Sequence, residues 1–207
     1  MAWAAAASIG AMHTSSDAPE LSVCVYCSSS DRLSDDLRTL AADVGAGLAE
    51  RGWRMVYGGG SVGLMGITAR AALAGGAYVT GVIPDKLVDR ELALRDVSEL
   101  IRTRTMRERK QIMDERSDAF LILPGGIGTL EELIEMVSLR QLGYHDRPIV
   151  LLDAEGFWSS LQEQMVRMAD EGMLHAPMDQ LWTYARSVGA ALTALDGAAA
   201  ADQSRKA

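Results

Sequence analysis

Residues 117–143 read SDAFLILPGGIGTLEELIEMVSLRQLG, and this stretch decides the fold. Five consecutive apolar residues (119–123) predict a buried strand, residues 124–128 form a glycine-rich turn, and a helical pattern opens at Thr129. Such a turn leaves unpaired backbone N–H groups at the start of the helix. The stretch therefore predicts a site for an anion such as a phosphate, with Glu131 and Glu132 in the first helical turn beside it.

The rest of the chain alternates in the same way between short apolar strands and longer helical segments. The other expected strands are residues 21–27, 53–57, 78–83, 148–152 and 181–184. The other expected helices are residues 34–51, 64–74, 102–116, 157–171 and 188–195. Residues 86–100 are the least periodic segment. This alternation predicts an α/β fold, a Rossmann-like doubly wound parallel sheet with helices on both faces.

Length and composition favour a single domain. The chain has 207 residues, of which 48% are hydrophobic, so it can bury one sizeable core. We expect this domain to span residues 21–196, and we expect the alanine-rich ends, 1–20 and 197–207, to be flexible tails. Because the N-terminal segment lacks the basic region of a secretory signal, we expect a cytoplasmic protein.

The net charge of -8 narrows the possible partners. An acidic surface repels both a nucleic-acid backbone and an anionic membrane, so we expect neither as a partner. No apolar run approaches the roughly 20 residues that a membrane-spanning helix needs. A small anionic ligand can still bind where backbone amides and a few arginines converge.

Cys24 and Cys27 form a C-x-x-C sequence, which in other contexts indicates redox chemistry or half of a metal site. Here both fall in an expected strand, where a separation of three places the side chains on opposite faces. We therefore predict two buried thiols. Because the three histidines (His13, His145 and His175) share no ligand spacing, we predict no metal.

The first glycine loop, GGGSVGLMG at residues 58–66, has two possible interpretations. Gly58, Gly60 and Gly63 satisfy the dinucleotide-binding pattern G-x-G-x-x-G, and Asp85 lies near the distance at which such a site has an acid. That interpretation predicts an NAD-dependent dehydrogenase. The alternative is close backbone packing, favoured because the loop follows the second expected strand and contains further glycines.

The second glycine loop also has a purely structural alternative. Thr129 and Glu132 fit a capping box, and Glu131 in the first turn would gain from the helix dipole, so no ligand is needed to explain them. However, three of the four residues 125–128 are glycines, which leave more amide groups uncovered than a cap requires. This excess of glycine favours the anion site.

Positive charge comes from the segment TRTMRERK, residues 103–110. If this segment is helical, Met106, Arg109 and Met113 fall on one stripe at spacings of three and four. Arg109 then lies among apolar neighbours, whereas Arg107 faces elsewhere. A half-buried arginine is often only a snorkelling side chain, but beside a phosphate or carboxylate its planar fork is a suitable donor.

Together these motifs identify a resemblance that covers about residues 21–195. The sequence PGGIGTLEE at 124–132 matches the pattern P-G-G-x-G-T-x-x-E of the LONELY GUY family, and Arg109-Lys110 match a second family motif. The loop at 58–66 is also similar to that family's. Members are phosphoribohydrolases that release cytokinin bases from their nucleotides. They have often been labelled lysine decarboxylases, but nothing in the sequence marks a pyridoxal-phosphate lysine.

The resemblance implies that water cleaves the N-glycosidic bond of an N6-modified adenosine 5'-monophosphate, without a cofactor, to give the free base and ribose 5-phosphate. It also implies that Glu132 is the catalytic carboxylate and that Arg109 is its partner. The positions that it assigns to substrate binding are Glu91, Arg109, Lys110, Gly125, Gly126, Ile127, Gly128, Thr129, Leu130, Glu131, Glu132, Ser138, Gly59 and Gly60. Of these, 126–129 would hold the phosphate.

One departure from the family pattern stands next to the site. The family has Met-His-x-Arg-Lys where this chain has Arg107 in place of the histidine. The resemblance further implies a homodimer, and the methionine-containing segments 106–113 and 134–142 would suit its interface. From the sequence alone these segments can equally be ordinary core. The alternative from another functional class is a nucleotide-binding module without catalysis. A glutamate beside the phosphate counts against it, because binding alone would not place a negative charge there.

Overall fold

A parallel sheet runs through the centre of the protein. In this computed structural model, the described residues, 21–88 and 92–206, form seven strands: β1 (Ser22–Tyr26), β2 (Arg54–Tyr57), β3 (Val79–Pro84), β4 (Glu99–Thr103), β5 (Ala119–Ile122), β6 (Ile149–Leu152) and β7 (Thr183–Ala185). All adjacent strands pair in parallel, in the order β4-β3-β2-β1-β5-β6-β7. The predicted Rossmann-like, doubly wound sheet is thereby confirmed.

Helices cover both faces of this sheet. They are α1 (Asp35–Glu50), α2 (Gly63–Ala74), α3 (Met106–Glu115), α4 (Ile127–Gln141), α5 (Ser159–Asp170), α6 (Met178–Leu181) and α7 (Val188–Lys206), and a 3-10 turn, Asp85–Leu87, follows β3. One hydrophobic core lies between the sheet and α1, α2 and α7, and a second lies between the sheet and α3, α4, α5 and α6. No helix of the described residues combines the length and the apolar character that crossing a membrane requires.

Strand β1 shows how the sequence builds both cores at once. Alternate side chains of a strand point to opposite faces, so Val23 and Val25 enter the first core while Cys24 and Tyr26 enter the second. Cys27, directly after β1, belongs to the first core. Both cysteines are buried free thiols, one in each core, which confirms the prediction made from their spacing.

The largest difference from the predicted elements concerns β4. Residues 102–116 were expected to form one helix, but Arg102 and Thr103 belong to the edge strand β4, and α3 begins at Met106. The start of α3 is fixed by Thr105, whose Oγ accepts the N–H of Glu108 at 3.1 Å. In return, a carboxylate oxygen of Glu108 accepts the N–H of Arg104 at 2.9 Å. A threonine and a glutamate three residues later therefore cap α3, with the glutamate bonded to the residue before the N-cap, and no such cap stands at Thr129.

The start of α4 also differs from its prediction. The N-cap is Gly126 and the helix begins at Ile127, so Thr129 is a buried residue inside the first turn and caps nothing. Glu131 and Glu132 consequently follow that turn and do not lie within it. Ile127 and Gly128, which were assigned to the turn, are thus the first two residues of the helix.

Helix α7 continues to Lys206, although its predicted end was Leu195. The added segment is rich in alanine, the residue with the highest helix propensity, which explains the extension. Whether the ends of the chain are flexible tails stays a prediction. Residues 1–20 and Glu91 lie outside the described residues.

Candidate active site

The site lies where β1 and β5 end side by side. These strands are neighbours in the sheet but far apart in sequence, and the helices that follow them, α1 and α4, lie on opposite faces. In doubly wound sheets this is the position where ligands bind. The N–H of Leu123 donates to the carbonyl of Tyr26 at 2.9 Å, and the N–H of Ser28 donates to the carbonyl of Pro124 at 3.2 Å. The loop after β1 is thus bonded directly to the glycine loop that opens α4.

The start of α4 has the uncapped, glycine-rich form that the sequence predicted for an anion site. Gly125 must be glycine, because a Cβ there would lie 2.2 Å from Oγ1 of Thr129. Gly126 and Gly128 have open space instead, with nothing within 4 Å of a Cβ built on either residue. No side chain forms a cap hydrogen bond to this described helix start, and Ile127 is 83% exposed. Amide groups of the first turn therefore face solvent without cover.

Arg109 is buried, with 5% of its surface exposed, and its guanidinium lies at the carboxyl ends of two other strands. Nε donates to the carbonyl of Val82 in β3 at 3.1 Å, and Nη2 donates to the carbonyl of Gly58, directly after β2, at 2.9 Å. Nη1 also contacts the sulfur of Met106 at 3.8 Å. The predicted apolar stripe of α3 thus delivers a fixed positive charge to the carboxyl edge of the sheet.

The charges of Glu132 and Arg109 both influence the pKa of the Cys27 thiol. Burial is the main reason that the pKa of the Cys27 thiol is raised, and the negative charge of Glu132 raises this pKa further while the charge of Arg109 lowers it. Glu132 also contributes, after burial, to the raised pKa values of Cys24 and Tyr26. Both predicted catalytic side chains therefore lie within electrostatic range of Cys27, directly after β1.

Lys110 links α3 to α4. Its Nζ lies 2.5 Å from Oε1 of Glu131 and 2.8 Å from Oε2 of Glu135, and its side chain is only 15% exposed. Burial lowers the pKa of Lys110, but the two ion pairs outweigh burial and raise it. Because Glu131 and Glu135 lie one turn apart on α4, one ammonium group holds the two helices in register.

The first glycine loop is shaped by close packing. A Cβ on Gly59, which has a φ of 78°, would lie 2.9 Å from the Cβ of Ile83, and a Cβ on Gly66 would lie 1.9 Å from the carbonyl oxygen of Ser61. These contacts agree with the packing interpretation. Asp85, the acid of the dinucleotide alternative, instead pairs with Arg102 at 2.7 Å on the exposed surface.

Residues 92–94 pair with the first glycine loop. Gly60 forms a bridge with Ala93, the N–H of Leu94 donates to the carbonyl of Gly59 at 3.0 Å, and the N–H of Ser61 donates to the carbonyl of Leu92 at 3.0 Å. Glu91, expected to contact the nucleotide, lies outside the described residues, but its neighbour Leu92 is part of this pairing. The loop with Gly59 and Gly60 is therefore covered from the side of β4.

Three other residues singled out from the sequence are Ser138, Leu130 and Arg107. Ser138 is exposed on α4, eleven residues after Ile127, which is roughly 16 Å along a helix. Within one chain the structure does not bring Ser138 to the start of α4. Leu130 is partly buried in the second core, and Arg107, which replaces the family histidine, is exposed on α3.

Two features of the site went unpredicted. The carbonyl groups of Gly58 and Val82 accept hydrogen bonds from Arg109. Because every residue has a backbone carbonyl, the sequence cannot show which ones act as acceptors. Glu135 completes the bridge to Lys110, and its spacing of four from Glu131 was a usable signal.

A family model described as "Possible lysine decarboxylase" matches residues 65–195 of this chain. Among curated proteins, the cytokinin riboside 5'-monophosphate phosphoribohydrolase of Mycobacterium tuberculosis is 51% identical over 150 residues, which cover 72% of this chain and 80% of that protein. The cytokinin riboside 5'-monophosphate phosphoribohydrolase LOG3 of Arabidopsis thaliana is 43% identical over 152 residues, or 73% of this chain and 71% of that protein.

Solved structures are similar in fold. The molybdenum cofactor carrier protein of Chlamydomonas reinhardtii superposes with a TM-score of 0.67 at 21% identity, over 88% of this chain and 99% of that one. The molybdenum cofactor binding protein of Rippkaea orientalis gives a TM-score of 0.62 at 21% identity, over 86% of this chain and 97% of that one. At these identities the likeness shows the fold alone.

Proposed function

The chain belongs to the family described as possible lysine decarboxylases, within the group named cytokinin riboside 5'-monophosphate phosphoribohydrolases, and from this premise we propose the reaction it catalyses. The protein is an enzyme that hydrolyses the N-glycosidic bond of an adenosine 5'-monophosphate, with or without an N6 substituent. The products are the free base, a cytokinin or adenine, and ribose 5-phosphate.

The observation that carries this proposal is the uncovered start of α4 beside two opposite charges. Amide groups around Gly126 and Gly128 suit the phosphate, because a Cβ at either glycine would enter open space and none is present to block the amides. Glu132 follows on the same helix, and Arg109 reaches the same edge from α3. One substrate can thus be gripped by its phosphate while its ribose meets the carboxylate.

The carboxylate acts on the ribose in this mechanism. As the bond between the anomeric carbon and the base nitrogen breaks, its electron pair leaves with the base and positive charge develops on the sugar. Glu132 stabilises that charge and orients the water whose oxygen bonds to the anomeric carbon. A proton from this water finally balances the charge on the departing base. Arg109 holds its position through Val82 and Gly58, so its charge needs no rearrangement during the reaction.

The ion pairs of Lys110 support a role for Lys110 and Glu131. Their ion pair, shared with Glu135, fixes the distance between the helix that bears Arg109 and the helix that bears Glu132. We therefore infer that Lys110 and Glu131 contribute to substrate binding mainly by holding this arrangement. Glu91 and Ser138 remain proposed contacts.

Incubation with AMP and with isopentenyl-AMP, followed by chromatography, tests the reaction. We expect free adenine and free isopentenyladenine together with equal amounts of ribose 5-phosphate. Because each charge-assisted hydrogen bond to the phosphate contributes about 1.5–3 kcal/mol, the corresponding nucleosides should be poor substrates. Equal hydrolysis of nucleoside and nucleotide would refute the phosphate site, and binding without release of base would indicate a non-catalytic module.

We also propose the cytoplasm as the compartment and a homodimer as the working form. The two cysteines of the chain are free thiols, as is typical of a reducing compartment. Exposed apolar side chains on α3 and α4, among them Met106 and Ile134, suit a contact between two copies. The net charge of -8 supports the view that nucleic acids and anionic membranes are not partners.

A further inference from the structure

Arg109 occupies a space that a single missing side chain provides. Its Nη2 donates to the carbonyl of Gly58 at 2.9 Å, and a Cβ built on Gly58 would lie 1.9 Å from this same nitrogen and 3.0 Å from Cζ. On the other side, the sulfur of Met65 would lie 3.1 Å from that Cβ. The guanidinium therefore lies directly against the bare Cα of Gly58.

The backbone does not explain this glycine. Gly59, the next residue, has a φ of 78°, a conformation that favours glycine for its own sake. Gly58 does not have a positive φ, so an alanine could adopt its backbone conformation without strain. What excludes a side chain at Gly58 is chiefly Arg109, because the flexible side chain of Met65, at 3.1 Å, needs to move by only a few tenths of an ångström.

We propose that Gly58 is a positioning residue for the hydrolytic reaction, because its lack of a side chain allows Arg109 to bind the backbone carbonyls of Gly58 and Val82. This inference rests on the proposed function. A methyl group at Gly58 would displace the guanidinium from the carbonyls of both Gly58 and Val82. Since Nη2 is the far end of a flexible side chain, the arginine can swing away, and the fold survives while the site is misaligned.

The first test measures thermal stability and needs no activity. In the otherwise unchanged protein, Gly58→Ala should lower the Tm by about 3 °C, because Arg109 loses its hydrogen bonds to two backbone carbonyls. In an Arg109→Ala background the same methyl group enters vacated space, so the Tm should not fall. Equal losses of Tm in both backgrounds would overturn the proposal, because Gly58 would then be needed for reasons unrelated to Arg109.

The second test measures the hydrolysis of AMP. We expect Gly58→Ala to lower kcat by about 100-fold, as a misplacement of roughly 1 Å can do, and to match Arg109→Ala. Gly189→Ala is the control, because nothing lies within 4 Å of a Cβ at that exposed position on α7, and it should retain full activity. A fully active Gly58→Ala variant would overturn the proposal. If the unaltered protein released no base, the proposed function would fail, and the thermal comparison alone would decide the role of Gly58.

Discussion

Glu132 is the residue on which the proposed chemistry depends most directly. Its negative charge contributes to the raised pKa values of Cys27 and Tyr26 at the end of β1, and the proposed mechanism places the ribose of the nucleotide beside this carboxylate. Glu132→Gln keeps the shape of the side chain and removes the charge that stabilises the developing cation. We expect kcat to fall by about 10²–10⁴-fold with little change in Tm.

Glu163→Gln provides the matched control for this substitution. Glu163 is exposed on α5, on a helix that bears none of the proposed site residues, and the same chemical change there should leave kcat unaltered. Undiminished hydrolysis by Glu132→Gln, in a folded protein, would reduce Glu132 to a structural residue of α4.

Cys24 makes the stability of the fold depend on pH. Burial is the largest cause that raises the pKa of this thiol from 9.0 to about 12, so between these values the thiol is neutral in the folded protein and ionised in the unfolded chain. The folded state then binds the extra proton, and stability falls as the pH rises through this window. From about pH 8 to about pH 10, this one thiol should cost roughly 1.4 kcal/mol.

Urea unfolding at these two pH values measures the effect. Cys24→Ala lowers stability at every pH because it leaves a cavity, but its decline between the two pH values should be smaller than that of the unaltered protein by the stated amount. An identical decline in both proteins would show that Cys24 does not titrate in this way.

At the scale of elements, the start of α4 trades stability for binding. Gly128 lies in helical geometry with open space around it, so an alanine there should stabilise the helix by up to about 1 kcal/mol. The same methyl group would cover the amides that we assign to the phosphate. We therefore expect Gly128→Ala to raise the Tm and to raise the KM for AMP by about tenfold, which corresponds to roughly 1.4 kcal/mol.

Thermal melting of Gly128→Ala measures the expected rise in Tm, and initial-rate assays measure the expected rise in KM for AMP. Gly189→Ala, an exposed glycine of α7, serves as the control that should gain stability without a change in KM. A Gly128→Ala variant with an unchanged KM would mean that the phosphate does not bind at the start of α4.

The elements also show which parts of the fold the sequence could predict. The βα unit around 119–141 was recognised because its strand, glycine turn and helix follow one another without interruption. Strand β4, with the sequence ELIRT, was missed because charged residues flank its short apolar centre and it pairs only at the edge of the sheet. Its final residues were assigned to α3 instead.

The site was predictable where side chains carry the chemistry. The stripe spacing singled out Arg109 and the family resemblance singled out Glu132, and in the structure the charges of both act on Cys27. Their catalytic roles stay a prediction. The support for Arg109 was not predictable, because carbonyls such as that of Val82 become neighbours only when the strands align. Gly58 fits the spacing of a dinucleotide-binding pattern. In the structure, however, a glycine is required at this position because Arg109, 51 residues later in the chain, contacts it.

At the scale of the whole molecule, α4 presents apolar side chains that the single chain leaves uncovered. Ile127 is 83% exposed and Ile134 is 38% exposed, and their separation of seven places them on one face of the helix. Ser138 lies on the same helix, roughly 16 Å from its start, so a contact of Ser138 with substrate requires a second copy of the chain. Both observations favour a homodimer built around α4.

Ile134→Lys tests this dimer, because a charge placed in an apolar interface should separate the two copies. For the unaltered protein we expect sedimentation at about twice the chain mass of 22.2 kDa, and for the variant we expect the mass of one chain. Val166→Lys on α5 is the control, since Val166 is 43% exposed and its substitution should leave the dimer intact. If the unaltered protein sediments as one chain, the dimer proposal fails. If Ile134→Lys is monomeric and fully active, Ser138 has no part in the site.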